Sequence, residues 1–180
     1  PAAPAPQASS KVRSDPSIPL AKVRKCPRVC SNGWSRSANI YEVNVRQYTP
    51  EGTLSAFASH LPRLHQMGVD ILWLMPIQPI GKLKRKGKLG SYYAVSDYKA
   101  INPEFGKLKD FKSLVQQAHE LGMKVIIDWV ANHTGWGHRW TTEHPDYYLR
   151  DSATCDFKIA SGMDDIIELN FTNPALRTAM

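Results

Sequence analysis

The chain is 180 residues long, 42% apolar and 22% charged, enough for one ordinary domain with a real core and too apolar to be disordered throughout. Its longest apolar stretch, residues 69–77, is broken by Asp70 and Pro76 and falls far short of the roughly 20 residues that span a bilayer, so no membrane span is expected. The net charge of +7 invites a nucleic-acid partner, but seven of the 23 basic residues lie in the first 38 and five more in residues 82–88. The remainder roughly balances the 16 acids, and no zinc-finger spacing or RNA-binding aromatic signature accompanies it. The excess reads as solubilising charge on mobile segments, with no nucleic acid as partner.

Residues 1–38 are rich in Pro, Ala, Ser and basic side chains and lack any helical or alternating apolar period, which reads as a disordered leader or linker. With no initiator Met and no apolar signal core, a processed or cut chain is expected, in a secreted or periplasmic location. Cys26 and Cys30 either close a small disulfide loop or stay free thiols, and Cys155 is left unpaired.

Residues 40–47 alternate and are rich in branched and aromatic side chains, which predicts a strand. Leu54, Phe57, Leu61 and Leu64 then mark one face of a helix, which Pro62 kinks or divides. Gly68 stops that helix and residues 69–75 form a short apolar strand. Phe111, Leu114, Val115, Ala118 and Leu121 repeat the pattern, with a stop at Gly122 and a strand over 123–127. The stretch from Met67 through Gly68 to Leu72 aligns with that from Leu121 through Gly122 to Ile126, each closing a helix and opening a buried strand. Two copies of one unit predict an α/β fold with parallel strands and helices packed outside, and a ligand at the C-terminal ends of the strands. Asn173 and Pro174 open a further helix, which is unfinished at Met180, so a truncated repeat is expected.

The loop after the third strand carries Asp128, Asn132 and His133. An Asn oxygen suits calcium and a His can bond a sugar hydroxyl, although Asp and Asn here could equally cap turns. The loop after the second strand carries Tyr92, Tyr93, Asp97 and Tyr98, then Asn102-Pro103-Glu104-Phe105-Gly106. Aromatics beside a carboxylate suit a sugar, or simply pack. His133, His138 and His144 lie five and six apart with no HExxH pattern, which argues against zinc.

Together these segments resemble the alpha-amylase superfamily of glycoside hydrolases. Asp128, Asn132 and His133 match its Asp-x3-Asn-His signature. Tyr93, Asp97 and Tyr98 match its Tyr-x3-Asp-Tyr element, with Asn102 to Gly106 following as expected. Ile71 to Ile77 looks like its second strand. Asp164 to Asn170 with Asn173-Pro174 resembles an element late in its inserted domain. The resemblance covers residues 39–180 and implies a partial (β/α)8 TIM barrel: about three βα units, with residues 134–170 as a small excursion. It implies an alpha-glucan or oligosaccharide substrate, with Tyr93 stacking on the sugar, His133 bonding its hydroxyls, and Asp97 and Asp128 organising the pocket floor. It implies Asn132 as a ligand of a structural calcium and no organic cofactor. Trp136, Trp140, Tyr147 and Tyr148 either line a glycan cleft or pack the excursion.

Retaining hydrolysis needs a carboxylate nucleophile and a carboxylic acid roughly 5 Å apart. In the family these follow the fourth and fifth strands, so no catalytic residue is assigned here. The 180 residues alone are expected to cleave no glycosidic bond, and their uncovered strand edges to favour self-association. The alternative reading is a non-catalytic relative that binds glycans or serves as an accessory subunit.

Overall fold

The computed structural model of the chain describes residues 33–159 and 162–180. Two compact units divide it, Pro1–Arg36 and Ser37–Met180. Of the first, only a short 3-10 turn, Gly33–Arg36, is described. Cys26 and Cys30 therefore lie outside the described residues, and Cys155 is a free, exposed thiol.

The second unit opens with β1 (Ile40–Val43), which runs parallel to β2 (Ile71–Leu74), itself parallel to β3 (Lys124–Ile127). Val43, Leu74 and Ile127 pair across the sheet, so all three strands end at one edge. The ladder continues one step: Met75 N–H donates to Val43 O at 3.0 Å and Asp128 N–H to Leu74 O at 2.9 Å. That last bond fixes Asp128 at the sheet's C-terminal edge.

Expected strand residues 45–47 are instead helical: β1 stops at Val43 and α1 spans Val45–Tyr48. Tertiary partners override the alternation. Arg46 sits 4.5 Å over the Tyr92 ring and bonds Glu104 at 2.8 Å, while Tyr48 meets Phe57 edge-on. The following helix is remade at its proline. It breaks into α2 (Leu54–Ala58), capped by the Thr53 hydroxyl, and α3 (Leu61–Gln66), with Pro62 in the first turn where it costs no hydrogen bond.

The two closing glycines behave identically. Gly68 (φ 83°) and Gly122 (φ 82°) take the left-handed conformation that only glycine adopts without strain. At the first, Gly68 N–H reaches His65 O at 2.9 Å and Val69 N–H reaches Leu64 O at 3.1 Å. At the end of α4 (Leu108–Glu120), Gly122 N–H reaches His119 O and Met123 N–H reaches Ala118 O, both at 2.9 Å. Both are Schellman stops, so the repeat seen in sequence is a repeat of hydrogen bonds. Leu54, Phe57, Leu61, Leu64, Leu72, Leu74, Leu114 and Ala118 form one buried core between sheet and helices.

The third strand is not buried. Ile126 and Ile127 are 45% and 41% exposed, because among the described residues β3 has a neighbour on one side only. Residues 82–88 are not a mobile basic loop either. Lys86 lies 3.2 Å from each of Asp164 and Asp165, Lys84 sits 3.5 Å above the Trp136 ring, and Arg85 donates to the carbonyls of Ile80 and Gly81. Three of the loop's five cations are tied to the fold. No described helix is long and apolar enough to cross a membrane.

Beyond β3 the chain forms a second, antiparallel pair, β4 (His133–Gly135) with β5 (Ile166–Glu168), and two short helices, α5 (Trp140–Glu143) and α6 (Pro174–Ala179). Trp140, Tyr147 and Tyr148 are buried with Ile167, Leu169 and Leu176, so these aromatics pack the excursion and do not line a cleft. Asn173 caps α6 by accepting the Ala175 N–H at 2.8 Å.

Candidate functional site

The chain between β2 and α4 doubles back on itself. Ile80 bridges Val95 in antiparallel fashion, Gly81 N–H donates to Ala94 O at 2.7 Å and Ser96 N–H to Pro79 O at 2.8 Å. The returning arm runs beside β4, where Gly135 N–H donates to Val95 O at 2.8 Å. Two glycines make this crossing of three backbones close: a Cβ on Gly135 would lie 2.8 Å from Ala94 O and 3.2 Å from Gly81 Cα. The crossing sets Tyr93 against the segment that follows β3.

Tyr93 and residues 128–133 line one open cavity of about 400 Å³. Within it, His133 Nε2 lies 3.1 Å from Tyr93 O. A carbonyl only accepts, so Nε2 carries the proton and Nδ1 is the free acceptor of the neutral ring. Burial lowers the His133 pKa below its ordinary value and the bond to Tyr93 only partly offsets it, so the ring is neutral at pH 7. Tyr93 is 38% exposed, with its hydroxyl beside the Asp128 carboxylate. Burial first, and that carboxylate second, raise its pKa and keep it a phenol. An exposed aromatic face, a carboxylate and a neutral imidazole thus converge on one cavity. That combination can stack on a pyranose and accept bonds from its hydroxyls.

Of the expected residues, Tyr93, Asp128, Asn132 and His133 come together there and Asp97 does not. The Asp97 carboxylate instead caps its own turn, accepting Lys99 N–H at 2.8 Å, and its charge acts on His138. Asn132 lines the cavity, and its main-chain carbonyl accepts the Leu169 N–H at 3.0 Å. Among the described residues no three His, Cys, Asp or Glu side chains gather to hold a metal.

Sequence reasoning gave no site role to two contributors. Trp129, 56% exposed, lines the cavity next to Asp128. Tyr98 donates its hydroxyl to Val130 O at 2.7 Å and His133 O at 2.8 Å. Trp129 could have been found as an exposed indole beside a strand-end carboxylate; nothing local to Tyr98 announces its two acceptors, 32 and 35 residues away.

A model of the alpha-amylase catalytic domain matches residues 21–175. An alpha-1,4-glucan:maltose-1-phosphate maltosyltransferase from Rhodospirillum rubrum is 36% identical over 94% of this chain and 26% of its own length. Alpha-amylase 3 of Dictyoglomus thermophilum is 30% identical over 80% of this chain and 32% of its own. Among solved structures, an alpha-amylase from Lactobacillus plantarum superposes with a TM-score of 0.76 at 44% identity, over 80% of this chain and 34% of that one. The chain thus spans about a quarter to a third of the length of these relatives.

Proposed function

The chain belongs to the alpha-amylase family, and on that footing we propose that residues 39–180 form the N-terminal part of a (β/α)8 catalytic domain acting on alpha-glucans with retention. The observation that supports this most is the meeting of Tyr93, Asp128 and His133 in one cavity at the C-terminal edge of a parallel sheet. That edge is where barrel enzymes carry their sites. In this reading Tyr93 stacks on a glucosyl ring, the Nδ1 of His133 accepts a sugar hydroxyl, and Asp128 holds the floor. Asp97 acts at one remove, by shaping the turn that presents Tyr98. These residues bind and orient; none is the nucleophile or the acid that retaining chemistry requires. Asn132 would supply one oxygen to a structural calcium, and no step is routed through that ion. A secreted or periplasmic location is proposed with this reading.

The test is calorimetric titration of the chain with maltotriose. Wild type should bind, and His133→Ala should weaken binding about tenfold while moving the melting midpoint by only a few degrees. Starch, maltooligosaccharides and an activated aryl glucoside should stay intact. Unchanged affinity in the variant overturns the role of His133, and turnover by the chain shows that the acid pair lies within it.

A further inference from the structure

Tyr98 lies outside the cavity, yet three observations tie it to the cavity's shape. Its hydroxyl proton is shared between the carbonyls of Val130 and His133, at 2.7 and 2.8 Å. Those carbonyls bracket residues 131 and 132, so one proton draws both ends of the short loop toward a single point. On one side the ring packs against His138 at 5.4 Å and Trp140 at 5.6 Å, two rings that are themselves in contact at 4.5 Å. Tyr98 is also five residues from Tyr93, on the arm whose carbonyl meets His133. The phenol is therefore the cross-link between the arm that presents Tyr93 and the loop that presents His133, and its brace comes from the excursion.

We infer that Tyr98 is a positioning residue for the glycan pocket: its shared hydroxyl proton sets the conformation of residues 130–133 and so the placing of His133 against Tyr93. Burial raises the phenol's pKa well above its ordinary value, so it remains a donor at any physiological pH. Among the described residues no side chain other than Tyr98 donates to either carbonyl. Removing the proton takes the side-chain donor from both carbonyls. The loop then relaxes, while the ring's packing is untouched.

The inference rests on the glycan-binding reading for its consequence, and the experiment separates the two. Tyr98→Phe deletes one oxygen and keeps the ring. Tyr148→Phe is the matched control: its hydroxyl, also buried, bonds Thr134 Oγ1 at 3.0 Å and touches neither carbonyl. Both variants should melt lower than wild type. Only Tyr98→Phe should move the carbonyl-carbon resonances of Val130 and His133 and weaken maltotriose binding about tenfold. Tyr148→Phe should leave those resonances in place and the affinity within about twofold of wild type.

Unmoved carbonyl resonances in Tyr98→Phe overturn the clamp. Moved resonances with wild-type affinity overturn its bearing on the pocket. An equal loss of affinity in Tyr148→Phe reduces Tyr98 to general packing. If wild type binds no maltotriose, the glycan reading fails, and the clamp is then judged by the resonances alone. Should Tyr98→Phe not fold, the unsubstituted chain decides: a slowly exchanging Tyr98 hydroxyl proton supports the clamp, and its absence overturns it.

Discussion

From β1 to β3 the buried side chains are mainly aliphatic: Leu54, Leu61, Leu64, Leu72, Leu74 and Leu114 mesh with one Phe on α2 and another before α4. From His133 to Leu169 the aliphatic Ile166, Ile167 and Leu169 share the interior with Trp140, Tyr147 and Tyr148, and with buried His138, Thr134 and Asp165. The first region needs only apolar volume on the correct face. The second buries polar tips that meet partners: Thr134 Oγ1 with Tyr148 Oη at 3.0 Å, His138 Nδ1 with the Trp140 N–H at 3.2 Å. Aliphatic packing tolerates a change of shape and resents a loss of volume. A cluster of aromatic rings with polar tips resents the loss of a single atom or the gain of a proton.

Truncating Leu72, fully buried at the centre of the sheet, should have the largest effect. Leu72→Ala is expected to cost about 2–5 kcal/mol, read from urea denaturation. A cost near zero would mean that the sheet region is no true core and would erase the comparison. Gly135→Ala comes next. Its new Cβ meets backbone 2.8 Å away, where no side chain can give, and about 1–3 kcal/mol should be lost. The same variant should weaken maltotriose binding, because the crossing that aligns Tyr93 must open. Retained stability and affinity would show that the crossing is slack.

The smallest effect discriminates best between the regions. Burial depresses the His138 pKa to about 4, with Asp97 opposing the shift and Arg139 adding to it. The ring also already accepts the Trp140 N–H at Nδ1, so charging it breaks that bond. The unfolded chain takes up this proton near the ordinary histidine value of about 6.5. Stability from the neutral ring is therefore complete above pH 6.5 and declines as pH falls toward 4. Amide exchange, corrected for its intrinsic pH dependence, should show β4–β5 protection falling across that window while β2 protection changes less. His138→Gln should flatten the β4–β5 response. Equal slopes in both regions would make the titration a global matter and remove the distinction.

The same contrast explains what could be read from the sequence. Leucines at helical spacing followed by Gly68 or Gly122 report local geometry, and that geometry is what formed. Asp128 and His133 stand where a strand end and a family motif coincide, and both line the one cavity. Val45 to Gln47 misled because alternation says nothing of Arg46 stacking on Tyr92, 46 residues away in sequence and 4.5 Å away in space. Lys84, Arg85 and Lys86 looked like solvated charge because their partners, Trp136, Asp164 and two carbonyls, belong to other parts of the fold. Asp97 was placed in the pocket when its carboxylate serves a turn. Pairings between distant polar groups leave no periodic trace.

The pairing of Gly135 with Ile166 closes the base of the excursion like a hairpin, leaving its two ends side by side whatever runs between them. Closing a loop whose ends are already fixed costs free energy only as the logarithm of its length. The number of residues between Gly135 and Ile166 is thus a nearly free variable, provided His138 and Trp140 still brace Tyr98. The exposed turn around residues 151–156 can be lengthened, shortened or exchanged for another sequence without shifting His133. The molecule separates a segment open to variation from a pocket that must keep its shape, and two glycines mark the border.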